Sequence, residues 1–112
     1  MEKVYDLEER TFLFARSCRS VVRELPKTIS NIQDGKQLIR SSGSVGANYI
    51  EANEKLGNKD FIYRLKIARK EAKYWLRLLK EDNIKFGKSL EKLTQEAEEL
   101  RKILSAIINK AE

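Results

Sequence analysis

The chain has 112 residues, 23 Lys or Arg against 17 Asp or Glu, a net charge of +6, one cysteine and no histidine. That length predicts a single domain, residues 1–112, long enough to bury roughly two-thirds of its unfolded surface without covalent staples. A lone cysteine excludes an internal disulfide and points to an intracellular, cytoplasmic setting, the missing histidine removes the commonest general base and metal ligand together, and no apolar run approaches the ~20 residues that span a bilayer.

Helical periodicity runs through the whole chain. The opening MEKVYDLEER lacks the apolar stretch of a signal peptide. A first segment, Val4 to Leu25, carries Val4, Leu7, Phe14, Cys18, Val21, Val22 and Leu25 on one stripe. Pro26 ends it, because proline disfavours helical geometry in the residue before it. The second segment, Thr28 to Leu56, aligns Leu38, Ser42, Val45, Tyr49, Ala52 and Leu56, and Gly57 and Asn58 supply a stop and the next cap. The third, Lys59 to Asp82, aligns Phe61, Leu65, Ala68, Ala72, Trp75 and Leu79. Gly87, Ser89 and Glu91 mark the next break. The fourth, Leu90 to Ala111, aligns Leu90, Leu93, Ala97, Leu100, Leu104 and Ile107. Short connections between long amphipathic helices favour antiparallel neighbours, so the predicted fold is all-α, an antiparallel up-down four-helix bundle.

The second segment contains an unusual run, SSGSVGANYIEAN, at residues 41–53. Glycine and serine are weak helix formers. A phosphate-binding loop would need a preceding strand and a lysine placed after the glycines, and neither is present. The apolar period passes straight through the run, so close approach of two helices is expected instead. Ser41, Ser44, Asn48 and Glu51 follow steps of three, four and three along one edge. They form either a solvated edge or a hydrogen-bonded polar ridge that fixes register. A lone Glu51 without a second carboxylate or a base is weak ground for catalysis.

The third segment carries the charge. Lys66, Lys70, Lys73, Arg77 and Lys80 recur at steps of four, three, four and three. Between residues 59 and 80 there are eight Lys or Arg against Asp60 and Glu71, a surplus of six that equals the net charge of the whole chain. Like charges at this spacing repel, so an unmixed basic row marks a candidate polyanion surface. Tyr63, Ile67, Tyr74 and Leu78 gather on a further face of the same helix. Phe12 and Leu13 also fall off the stripe of their own helix. Scattered exposed apolar residues are ordinary, but grouped at helical spacing they suggest a contact between subunits.

The segments LPKT, RSSGSVGANYIEAN, KDFIYRLKIARKEA and YWLRLL resemble the proteins encoded in intervening sequences of bacterial large-subunit ribosomal RNA genes. These are often labelled S23-type ribosomal proteins, a label that reflects gene location. The resemblance runs from the first segment to the end of the third, and is most specific around Asn48 and Glu51 and then at Tyr74-Trp75-Leu76. It implies an antiparallel four-helix bundle that assembles as a homopentamer. The chain is also similar to the accessory variability determinants of diversity-generating retroelements, basic pentamers that bind nucleic acid and a reverse transcriptase. Asn48 and Glu51 fall on the family's Asn and Glu, Lys70 and Glu71 fall in its Lys-Glu-Ala segment, and no catalytic residue is implied. In one place the chain departs from the pattern. Only Lys73 separates Ala72 from Tyr74, fewer residues than the family usually has, which rotates the later half of the helix and shifts the register of a Tyr63-to-Leu78 interface.

Three classes of function follow. A homo-oligomeric bundle binding RNA or DNA by its phosphates, with Lys66, Lys70, Lys73, Arg77 and Lys80 neutralising charge, fits best. An assembly module meeting an acidic partner protein, without nucleic acid, is the alternative. An enzyme is least expected, because there is no histidine, no Cys-His pair and no paired-carboxylate spacing, and no cofactor or membrane contact is expected either. Cys18, inside the first stripe, reads as a buried and inert thiol.

Overall fold

The computed structural model describes residues 6–54 and 59–111. It contains α1 (Leu7–Glu24), α2 (Ile29–Glu54), α3 (Lys59–Asp82) and α4 (Gly87–Ala111), with a 3₁₀ turn at Ile84–Phe86 leading into α4. Among the described residues there is no strand. α1 packs on α2, α2 on α3, α3 on α4, and α4 returns to α1. This is the all-α four-helix bundle that the short connections impose.

Local chemistry sets the helix ends. Asp6 caps α1, its Oδ1 accepting the Glu9 N–H at 3.1 Å. Leu25 turns extended, at ψ 148°, ahead of Pro26. Thr28 caps α2, its hydroxyl accepting the Asn31 N–H at 3.1 Å. The expected stop at Gly57 and cap at Asn58 lie outside the described residues, as do Val4 and Leu56 of the expected stripes. The break before α4 falls earlier than Gly87, Ser89 and Glu91 suggest. Gly87 is already helical, at φ −55° and ψ −41°, and the chain turns at Asn83, whose carbonyl accepts the Phe86 N–H at 2.9 Å.

The buried stripes of α1 and α2 follow the predicted rows, with Phe14, Cys18, Leu38, Ser42, Val45 and Tyr49 all buried. In α3 the prediction is off at two positions. Ile62 and Leu76 are buried, whereas Phe61 and Trp75 are half-buried. α3 is held between α2 and α4, so it buries two adjoining rows, and one of those rows passes through positions 62, 65, 69, 72 and 76. In α4 the last core residue is Ile108, and Ile107 is exposed.

The small-residue run of α2 is helical, and close approach to α1 accounts for it. A Cβ on Gly46 would lie 2.9 Å from Thr11 Oγ1, and one on Gly35 would lie 2.8 Å from Val22 Cγ1. Ser41 and Ser42 are buried, and their hydroxyls donate within α2 to the carbonyls of Leu38 at 3.3 Å and Ile39 at 3.2 Å. At one end of the bundle, buried Asn31 and Asn83 exchange side-chain amide hydrogen bonds at 2.8 Å in both directions. Asn31 also donates to the Pro26 carbonyl at 2.9 Å, and Asn83 to that of Leu79 at 2.8 Å. The pair therefore ties the turn between α1 and α2 to the end of α3.

Candidate functional site

Because α3 is unbroken from Lys59 to Asp82, its cations keep the alignment that their spacing predicts. Their edge faces a groove between α3 and α4 of about 510 Å³, lined by Arg69, Lys70, Lys73, Tyr74, Arg77, Lys80, Thr94, Ala97 and Arg101. That volume lies within the range of roughly 300–1,000 Å³ found for ligand clefts. Of the predicted row, Lys70, Lys73, Arg77 and Lys80 line the groove. Lys66 is half-buried and stands apart from it.

Helix α4 supplies counter-charge. Lys73 Nζ lies 2.9 Å from Glu98 Oε1, and Arg101 donates through Nε and Nη2 to Glu98 Oε2 at 2.9 and 2.7 Å. Lys80 pairs with Glu91. The Arg101 guanidinium first, and the Lys73 ammonium second, hold the Glu98 carboxyl down at about 2. Lys80 likewise holds Glu91 below its ordinary value. A row of five unpaired cations is therefore not what the fold presents. Glu91 and Glu98 stand two turns apart on one face of α4, and that face lies against Lys73 and Lys80. Lys70 and Arg77 are exposed and have no carboxylate partner among the described residues.

Arg69 and Arg101 join the site without having been singled out in the sequence. Arg69 occupies the middle of the second buried row of α3, which turns its guanidinium onto α4. Its Nη1 donates to the Arg101 carbonyl at 3.0 Å and to Ser105 Oγ at 2.6 Å, while its Nε is buried without an acceptor. Burial, and then the nearby Arg101, pull the Arg69 guanidinium below its ordinary value. The signal for Arg69 was its position, a charge at a core-facing step of the heptad.

The proposed polar ridge is divided. Ser41 is buried in the core. Ser44 and Asn48 line a narrower crevice between α2 and α3 with Arg40, Arg64 and Glu71, and Asn48 Nδ2 donates to the Ser44 carbonyl at 2.9 Å. Glu51 is half-buried and outside that crevice. The apolar strip divides as well. Tyr63 is 66% exposed, Ile67 borders the α2–α3 crevice, Leu78 is half-buried, and Tyr74 lines the basic groove. Phe12 on α1 is 57% exposed.

Cys18 is fully buried, and burial pushes its thiol up to about 12, far from a reactive thiolate. Among the described residues no group of three His, Cys, Asp or Glu side chains could hold a metal ion. No helix among them is long and apolar enough to cross a membrane.

A family model described as 23S rRNA-intervening sequence protein matches residues 4–106. The crystal structure of a protein of unknown function from the S23 ribosomal protein family of Bacteroides thetaiotaomicron superimposes with a TM-score of 0.73 at 30% identity, covering 90% of this chain and 96% of that one. No curated protein matches the chain.

Proposed function

The chain belongs to the 23S rRNA-intervening sequence protein family, and from that premise we propose that it is a non-enzymatic, self-associating helical bundle that binds RNA or DNA through the phosphate backbone. The observation that carries this reading is the groove between α3 and α4. Six cations line it, and Glu91 and Glu98 pair with its wall, so a surplus of four positive charges remains. Lys70 and Arg77 stand ready for phosphates. Lys73, Lys80 and Arg101 are held by partly exposed carboxylates, and such surface pairs are weak enough for a phosphate to displace. Lys and Arg that meet phosphates position a nucleic acid without reading its sequence.

Self-association rests on exposed apolar residues outside the groove, among them Tyr63 and Ile67 on α3 and Phe12 on α1, and on half-buried Leu78 further along α3. Five subunits is the number implied by the likeness to S23-type proteins. Repeating the groove around an assembly would multiply a weak site into a useful one. Fluorescence anisotropy with a labelled oligonucleotide tests the binding, and light scattering tests the assembly. Over a fourfold rise in salt, each phosphate neutralised on a single strand costs a factor of about 2.6, so three or four of them predict a loss of roughly 20- to 50-fold. Tight binding indifferent to salt, or none at low salt, would overturn the reading.

A further inference from the structure

We infer that the nucleic acid taken by the α3–α4 groove is single-stranded, and that Tyr74 is the platform on which one of its bases stacks. The inference rests on the backbone-binding proposal and deepens it. Its ground is a juxtaposition on α3. Lys70 and Arg77, the two groove-lining lysine or arginine residues of the predicted row without a carboxylate partner among the described residues, stand four residues before and three residues after Tyr74. On a helix those steps make them immediate neighbours of the ring on one surface. Tyr74 is 56% exposed although it lines the groove, so much of its aromatic side chain is open to a ligand. Its ring is also set in place. Trp75, half-buried against the core, meets it edge-on, with centroids 5.0 Å apart and planes at 80°.

An open ring bracketed by two cations is the arrangement that binds single strands, since every base has a face to stack and every step has a phosphate to neutralise. A duplex keeps its bases stacked on one another, so it can touch the cations but gains nothing from Tyr74. The reach agrees. From Lys70 to Lys80 the helix rises about 15 Å. For a strand that keeps the roughly 3.4 Å stacked spacing it has in a duplex, that covers about four nucleotides, at the low end of known single-strand sites. The fourfold placement of Tyr63, Ile67, Tyr74 and Leu78 as one subunit contact then cedes Tyr74 to the groove.

The test is anisotropy with the full-length chain and fluorescein-labelled strands of about 12 nucleotides, single-stranded and as the matching duplex, at low salt. Wild type is expected to bind the single strand more tightly than the duplex. Tyr74→Ala is expected to weaken the single strand by roughly 5- to 160-fold, the worth of one stacked base, and leave the duplex unchanged. Tyr74→Phe, which keeps the ring, is expected to bind as wild type does. The helical circular dichroism and the light-scattering mass of both variants are expected to match wild type. Equal affinity for strand and duplex, untouched by Tyr74→Ala, would overturn the inference and leave backbone binding standing. A Tyr74→Ala variant whose mass falls would also overturn it, placing Tyr74 in a subunit contact. Absence of binding to either probe would overturn the backbone reading, and this inference with it.

Discussion

Lys73 of α3 and Arg101 of α4 share one carboxylate, Glu98, at 2.9 and 2.7 Å. The contact closes α3 onto α4 along the basic groove, and it occupies two cations that a polyanion would otherwise meet. Replacing Glu98 by Gln keeps the shape and frees both. Glu98→Gln is expected to bind an oligonucleotide severalfold more tightly at low salt. Neutralising one or two further phosphates on a single strand also steepens the slope of log affinity against log salt by roughly 0.7 to 1.4. Anisotropy at several salt concentrations reads both quantities.

The same node fixes an acid dependence. Glu98 is held at about 2, below the ordinary 4.5, so the unfolded chain binds its proton at higher pH than the folded chain does. The stability it contributes is present above about 4.5 and is lost as pH falls from there toward about 2. Glu91 acts in the same direction through Lys80. Asp34, raised by burial and by Asp82, acts in the opposite direction. Urea midpoints are expected to fall as pH drops through that window, and to fall less in Glu98→Gln.

The bare backbone of α2 predicts opposite signs for two similar changes. A methyl group on Gly43 meets nothing nearer than the flexible end of Arg19, at 3.7 Å. Gly43→Ala should therefore stabilise by about 0.5–1 kcal/mol through helix propensity alone. On Gly46 the same methyl lies 2.9 Å from Thr11 Oγ1, which is held by hydrogen bonds to the Leu7 and Glu8 carbonyls at 2.7 and 3.1 Å. Gly46→Ala should destabilise by about 1–2 kcal/mol, as overpacking outweighs propensity. In a Thr11→Ala background that penalty should shrink. Thermal or urea unfolding of the variants measures each step.

How far the sequence foretells the structure depends on the kind of contact. The helices are legible because apolar spacing and the stop at Pro26 agree, whereas the Asp6 cap of α1 falls inside a segment whose apolar spacing begins at Val4. The alignment of the α3 cations is legible for the same reason, since their spacing survives in an unbroken helix. Their pairing is not. Glu91 and Glu98 lie on another helix, and only the rotation of α4 decides that they face Lys80 and Lys73. Arg69 is marked in the sequence only as a charge at a core-facing step, and its role becomes visible only when α4 supplies Ser105 and the Arg101 carbonyl as acceptors. The apolar strip is legible as a set of residues but not as a surface, because the edges of α3 border two different clefts.

Asn31 and Asn83 are a second instance of a tertiary contact that no local pattern marks. Each is buried, and each satisfies the other. Asn31→Ala or Asn83→Ala leaves the surviving amide without its partner and is expected to cost about 1–3 kcal/mol. The double variant should cost less than the sum of the singles, because neither orphan remains. A double-mutant cycle from urea unfolding reads the coupling.

The most direct measurement is the salt slope of single-strand binding for wild type against Lys70→Gln/Arg77→Gln. With two fewer phosphates neutralised on a single strand, the slope is expected to be shallower by about 1.4, with weaker binding at low salt and an unchanged fold by circular dichroism. A slope that stays the same when both side chains are neutralised would contradict the assignment of the groove as the phosphate-binding surface.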